Sequence, residues 1–460
     1  MFDVNKYRDF IAAKGGHTSS RGFDLSGTDY GLFEHQNRTI EFAAEKGKAA
    51  AFLDTGLGKS RVEAAFANEA RIASNKPSLI LTPLAVARQM QRECEACGVE
   101  ATVIREDSEV TSGVNIANYE RLSKLDVSRF GGVVLDESSI LKAFTGTTKR
   151  ALVAAFQGTP YRLAATATPA PNDHMELGTH SEFLGNLGSM EMLCRWFIND
   201  TSTASQDWRL KGHAEREFWQ WVASWARAAS LPSNLGGSDD GFILPPLKYH
   251  THIVNSDLTE GVQDGLLFRI PDQSATSIHK EKRLTLAERV ARAAEIANTE
   301  TGPVIVWCET NDESAQLTKA IPDAIEVHGA MKPEEKEAAL DAFTFGKARV
   351  IVTKPKLAGF GLNWQHAKTV VFASISHSYE QHYQAVRRSW RFGQDSEVKA
   401  HIVIAETEIP IWQNVRDKAD AHNYMKKAMT RAMVDAQMVA SKREYTRALE
   451  FDLPAFMMEE

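Results

Sequence analysis

Residues 49–66 pass from Ala-Ala-Ala-Phe-Leu53 through Asp54-Thr55-Gly56-Leu57-Gly58-Lys59-Ser60 into Arg-Val-Glu-Ala-Ala-Phe66, an order that few folds accommodate. The apolar run predicts a buried strand and the last stretch has helical periodicity, so a glycine loop must join a strand to a helix. That unit belongs to a parallel α/β sheet. The chemistry is equally restrictive. Glycines let backbone N–H groups close around phosphate oxygens, the Lys59 ammonium meets the β and γ phosphates, the Ser60 hydroxyl ligates Mg²⁺, and the helix N-terminus adds partial positive charge. Thr55, Gly56, Leu57 and Gly58 complete the cradle for ATP. The strict pattern carries glycine where this chain has Leu53, so an ordinary glycine turn remains the alternative for this segment alone.

Gly132-Val-Val-Leu135 predicts another short buried strand, and it ends in Asp136-Glu137-Ser138-Ser139. Two adjacent carboxylates at the C-terminal edge of a parallel sheet stand where α/β proteins place their chemistry. Beside Lys59, Asp136 reads as holding Mg²⁺ through its hydration shell and Glu137 as general base for the attacking water. A helix N-cap with acidic first-turn residues is the alternative. Far downstream, Gln384-Ala-Val-Arg387-Arg388-Ser-Trp-Arg391-Phe-Gly-Gln394 looks like an arginine-finger helix. Arg388 and Arg391 would neutralise charge developing on the γ-phosphate.

These segments, with Thr166-Ala167-Thr168-Pro169 and Gly359-Phe-Gly361-Leu-Asn363, occur in the order and approximate spacing of the superfamily-two helicase motifs. The ending from Gln384 to Gln394 is similar to the Swi/Snf branch, whose members are double-stranded-DNA translocases. The compact form, with Asp-Glu-Ser-Ser and Trp208-Arg-Leu-Lys-Gly-His213, resembles members carried by bacteriophages and prophages. The resemblance spans roughly residues 30 to 410. It implies an adenine-reading role for Gln36 in Leu32-Phe-Glu-His-Gln36, and nucleotide contact at Gly361. It implies DNA contacts at Thr82, Pro83, Asn118, Tyr119 and Asn363, and coupling roles for Thr166, Thr168 and Gln384. The implied fold is α/β, two RecA-like domains with parallel sheets flanked by helices, and a helical insertion between them.

Three departures bear on coupling. Ser139 stands where the family commonly has His, so a weaker hydroxyl contact to the second domain is expected. Leu357-Ala358 replaces the usual Ala-Gly and tightens the loop before Gly359. Arg387 stands where many relatives carry Asp, and its charge serves either DNA or a solvated helix face.

A chain of 460 residues exceeds what one core usually organises. The expected division is a lead-in over 1–29, a first motor domain over 30–184, a Trp-rich helical insertion over 185–246, a second motor domain over 247–410 and a helical extension over 411–460. Within the insertion the helical spacing of Phe218, Trp221 and Trp225 predicts a packed core, with an aromatic platform for bases as the alternative. In the extension, Lys418, Lys426, Lys427, Arg431, Lys442 and Arg443 offer either a basic face or an ordinary solvated helix. Cys94-x-x-Cys97 has no second ligand pair at matching distance, so it reads as structural and not as a zinc site.

The net charge of −7 argues against a globally basic surface but leaves a local phosphate-binding groove open. No apolar run reaches the length of about twenty that spans a bilayer, and no secretory leader is read, so a cytoplasmic monomer is expected in a bacterial or phage-infected cell. Three function classes follow: an ATP-dependent duplex-DNA translocase, a strand-separating helicase, and a nucleotide-gated interaction module. ATP and Mg²⁺ are the expected cofactors and DNA, double-stranded, the expected partner, alongside a recruiting protein of unknown identity.

Overall fold

The computed structural model describes residues 22–83, 86–143, 145–171, 173–200, 207–255, 282–358 and 362–438. Gly361, expected to touch nucleotide, lies outside the described residues, as do Gly359 and Phe360 and the basic residues Lys442 and Arg443.

Fifteen strands are found among the described residues. The first ten are β1 (Lys48–Leu53), β2 (Ser78–Thr82), β3 (Ala101–Val103), β4 (Val114–Asn118), β5 (Gly132–Asp136), β6 (Tyr161–Ala165), β7 (Phe197–Asp200), β8 (Asp207–Leu210), β9 (Ala226–Ala229) and β10 (Leu247–Val254). The rest are β11 (Val304–Trp307), β12 (Ala324–Val327), β13 (Val350–Thr353), β14 (Thr369–Phe372) and β15 (Val398–Ala405). They form a seven-stranded sheet in the order β3-β4-β2-β5-β6-β1-β9, a six-stranded sheet in the order β10-β15-β14-β11-β13-β12, and the antiparallel hairpin β7-β8. Every ladder in the two large sheets is parallel. Helices cover the faces, so inner strands such as β1 and β5 are apolar on both sides and do not alternate.

Register decides where chemistry collects. Asp136 on β5 pairs with Ala165 on β6, and Ala165 pairs with Ala51 on β1, so the three strands end nearly level. The glycine loop, the Asp-Glu pair and Thr166 therefore leave one edge of one sheet. Thr82 ends β2 on the same edge.

The stretch read as a helical insertion is more closely joined to the first domain than its pattern suggests. It contains the helices Ser189–Trp196 and Glu215–Trp225, but also β9, which pairs with β1 as the edge strand of the first sheet. Trp196, Trp219, Trp221 and Trp225 are all buried in the core that also holds Phe52 and Leu135. Packing, not base stacking, occupies them. Trp225 is fully buried, with ring centroids 5.3 Å from Trp221 and 6.1 Å from Phe52. Trp225→Ala should cost about 3–5 kcal/mol in denaturant unfolding of the full chain, the range for emptying a large aromatic site. A loss below about 1 kcal/mol would place the Trp cluster outside the core.

The helix Ile409–Met438 joins the two domains. Its first turns bury Ile411, Trp412 and Val415 against the second domain, whereas Met425 and Met429 enter the core of the first. Arg416, Lys427 and Arg431 are exposed on it, but Lys426 turns inward.

Candidate active site

The glycine loop is shaped by two residues that need conformations few side chains tolerate. Gly56 has φ 100° and Gly58 φ 73°. A Cβ on Gly56 would lie 2.9 Å from the Phe392 nitrogen of the second domain, and one on Gly58 would lie 2.0 Å from Gln36 Nε2. The helix Lys59–Ser74 then starts with no side-chain cap, leaving its first N–H groups to a ligand.

Lys59 Nζ lies 3.2 Å from Glu137 Oε1 and 3.5 Å from Asp136 Oδ1. Burial alone would lower the Lys59 ammonium, but the charges of Glu137 and Asp136 overcome it and hold the group well above the ordinary lysine range. Asp136 is pushed up to about 6, by burial first, with Lys59 opposing and Glu137 adding. Glu137 occupies the left-handed region at φ 51° and ψ 52°, uncommon for a side chain of its size, and this bend turns the chain at the sheet edge. Thr166 Oγ1 donates to Glu137 Oε2 at 3.4 Å and accepts the Thr168 N–H at 3.1 Å. His180, lowered to about 4 by burial, is neutral. Its Nδ1–H donates to the Glu176 carbonyl, leaving Nε2 to accept the Ser138 hydroxyl at 3.1 Å.

Across the cleft, Arg388 and Arg391 face the same cavity as Lys59, Ser60, Asp136 and Glu137. Both guanidiniums donate to one carbonyl, Leu362, at 3.0 and 3.1 Å. Burial pulls Arg388 to about 10, with the Glu137 and Asp136 charges opposing, and Arg391 to about 9, with the neighbouring Arg388 charge adding and Glu93 opposing. Arg391 Nε has no hydrogen-bond partner. The cavity holds about 100 Å³, under the roughly 300 Å³ at which ligand pockets begin. Nucleotide entry therefore requires the cleft to open. The donor set nevertheless suits a triphosphate with Mg²⁺: a lysine, a serine hydroxyl, an aspartate and two arginines with no salt-bridge partner among the described residues converge on one polar cavity.

Several expected residues stand elsewhere in this closed arrangement. Gln36 Nε2 donates to the Leu57 carbonyl at 3.0 Å, which His35 Nε2 also contacts at 3.0 Å, and Gln36 Oε1 accepts the Phe33 N–H. Gln36 thus braces the loop. Thr82 is fully buried, its hydroxyl donating to the Pro83 carbonyl. The Tyr119 hydroxyl donates to the Asp136 carbonyl at 2.7 Å, behind the Asp-Glu pair, while Asn363 is exposed. Gln384 is buried, and its carbonyl accepts from Arg388 Nε. Ser139 donates to the Glu137 carbonyl, and the reach across the cleft is made instead by Lys142, which pairs with Glu380. Cys94 and Cys97 are buried free thiols, and among the described residues no cluster of metal-ligating side chains is found.

Sequence reasoning missed Glu63. It lies one helical turn after Lys59, so i,i+4 spacing puts both on one face, and it is completely buried beside Asp136. Burial, reinforced by the Asp136 charge, raises its carboxyl well above the usual range. Arg387 differs from both of its expected roles: it is buried and pairs with Asp54 at 3.1 Å.

Comparison with known proteins agrees with this architecture. Residues 285–393 match the helicase conserved C-terminal domain. Two curated relatives are each 30% identical over 94 residues: the ATP-dependent RNA helicase FAL1 of Kluyveromyces lactis and eukaryotic initiation factor 4A of Dictyostelium discoideum. Each match covers 20% of this chain and 23% of the relative. The fold matches that of S. cerevisiae Dbp5 bound to RNA and ADP BeF3, with a TM-score of 0.55 at 12% identity, over 87% of this chain and 94% of that one. The chain has the two RecA-like α/β domains of that fold, and the family match lies within the second of them. No helix among the described residues is long and apolar enough to cross a membrane.

Proposed function

We propose that this chain is a DNA-dependent ATPase that hydrolyses ATP in the cleft between its two domains and moves along double-stranded DNA. The observation that carries this reading is the convergence of Arg388 and Arg391 from one domain on the cavity lined by Lys59, Asp136 and Glu137 of the other. Thr55 to Lys59 hold the phosphates, and Gln36 exchanges its loop contact for adenine. Ser60 and Asp136 would hold Mg²⁺, which when bound offsets phosphate charge. Glu137 draws the proton from the attacking water, and the two arginines neutralise charge on the γ-phosphate. Thr166 and Thr168, joined to Glu137, relay the outcome, with Gln384 bracing the finger turn.

The duplex-DNA assignment rests on the Swi/Snf-like run from Gln384 to Gln394. Thr82, Pro83, Asn118, Tyr119 and Asn363 belong to the segments that would track the backbone, after rearrangement of those now turned inward. The same likeness supports a monomer in the cytoplasm of a bacterial or phage-infected cell. A second reading, an RNA helicase, is favoured by the names of the two curated relatives. ATP turnover with no nucleic acid, single-stranded DNA, duplex DNA and RNA separates them. The translocase reading expects duplex DNA to stimulate most, with triplex displacement but no strand separation. Stimulation by RNA alone, or unwinding without triplex displacement, rejects it.

A further inference from the structure

The Asp54 carboxylate lies where three parts of the chain meet. Asp54 directly precedes the glycine loop and hydrogen-bonds its first N–H, that of Thr55, at 3.1 Å. Its Oδ1 also accepts from the Tyr383 hydroxyl, from Arg387 Nη2 at 3.1 Å and from Lys426 Nζ at 2.8 Å. Tyr383 lies in the second-domain helix Tyr379–Val386, Arg387 is the residue that ends it just before the arginine fingers, and Lys426 belongs to the helix Ile409–Met438 that packs against both domains. The three charged side chains keep only 8%, 8% and 12% of their exposure. Burial alone would raise the Asp54 carboxyl, but the Arg387 and Lys426 charges hold it well below the usual range.

Arg387 is the residue immediately before the first finger. Its guanidinium lies 4.6 Å from the Trp390 ring centroid and 5.3 Å from that of Tyr383, and Trp390 in turn donates to the Pro245 carbonyl at 2.7 Å. The turn from 387 to 391 is thus fixed on both sides. Arg388 and Arg391, by contrast, make their side-chain hydrogen bonds to carbonyls of their own domain, and from the opposite side only the charges of Glu137, Asp136 and Glu93 reach them, without a salt bridge among the described residues.

We propose that Asp54 is the anchor that positions the arginine fingers, by seating Arg387 and Tyr383 of the finger helix against the phosphate loop, with Lys426 making that alignment depend on the C-terminal helix. Arg387 and Lys426 are positioning residues. The inference rests on the ATPase reading for its consequence, not for its contacts. Opening the cleft for nucleotide must break these pairs, and closing it re-forms them with the fingers in place.

The test uses the full chain with Arg387→Ala, Arg387→Lys, Lys426→Met, Asp54→Asn and the exchange Asp54→Arg with Arg387→Asp. Misplacing a catalytic group by about 1 Å can cost about a hundredfold, so Arg387→Ala should lower kcat about 10- to 100-fold with the KM for ATP changed less than about threefold. Lys426→Met and Asp54→Asn should fall in the same direction. Arg387→Lys and the charge exchange should recover much of the loss, the exchange by more than the product of its single variants allows. Small-angle scattering of the nucleotide-free proteins supplies the second readout. The wild type should stay near the compact value of about 23 Å for 460 residues, and Arg387→Ala should exceed it. Wild-type turnover in Arg387→Ala, or losses without rescue in either compensating variant, overturns the anchor. Should the wild type hydrolyse no ATP on any nucleic acid, the ATPase reading fails. Scattering then decides the anchor alone: opening in Arg387→Ala and Asp54→Asn upholds it, and unchanged dimensions overturn it.

Discussion

Arg388→Ala is expected to cut nucleic-acid-stimulated ATP hydrolysis by about 10³-fold or more while leaving the fold intact. Fingers of this kind are worth about 10³–10⁵ in kcat because they meet charge that develops only as the γ-phosphoryl leaves. The structure adds a signature that separates this from unfolding. Arg388 is buried, burial lowers it to about 10 against the opposing charges of Glu137 and Asp136, and it donates to the Gln384 and Leu362 carbonyls, with no carboxylate in salt-bridge range among the described residues. A buried cation whose hydrogen bonds all go to carbonyls contributes little to stability, and its removal relieves a desolvation penalty as it loses two hydrogen bonds. The change in unfolding free energy should therefore stay within about 1 kcal/mol of zero, well below the loss expected for Trp225→Ala. Normal hydrolysis in Arg388→Ala would make the residue a buried structural cation and would remove the composite site.

Glu137→Gln is the second large effect. The substitution keeps the size of the side chain and a hydrogen-bonding oxygen for Thr166, but it cannot take a proton, so turnover should fall about 10²- to 10⁴-fold. Binding should survive, because Glu137 now competes with the nucleotide for Lys59, from which it lies 3.2 Å away. Neutralising it removes that competitor and the charge that, with burial, pushes Asp136 up. ATP added at 100 times its Kd should then stabilise the variant by about 2.7 kcal/mol, as it should the wild type at the same saturation. Lost nucleotide stabilisation with a high residual rate would assign Glu137 to the structure of the turn, where its left-handed φ of 51° already shows strain.

The parts of this site that were legible in the sequence are those that local pattern encodes. An apolar strand, two glycines at positive φ and a lysine at the first helical position are contiguous, so the loop could be read from residues 49 to 66. The Asp136-Glu137 pair was legible because a buried strand must end at a sheet edge. Other features depend on the third dimension. Ala226-Arg-Ala-Ala229 follows a helix full of tryptophans and has no strand signal of its own, and only pairing with β1 makes it a strand. Glu63 looks like any helical glutamate until the sheet buries it beside Asp136. Arg387 and Lys426 read only as charges for nucleic acid or for a solvated helix face, because their shared partner Asp54 lies more than three hundred residues away.

The proposed hydrolysis requires that groups of both domains act on one transition state. The direct measurement is a kinetic double-mutant cycle on single-turnover ATP hydrolysis, using Glu137→Gln, Arg388→Ala and the two combined. Residues that act as a unit are strongly non-additive, so the double variant should lose little more than the worse of the two single variants. If the two losses simply multiplied, Glu137 and Arg388 would contribute to separate events, and the site would not be composite.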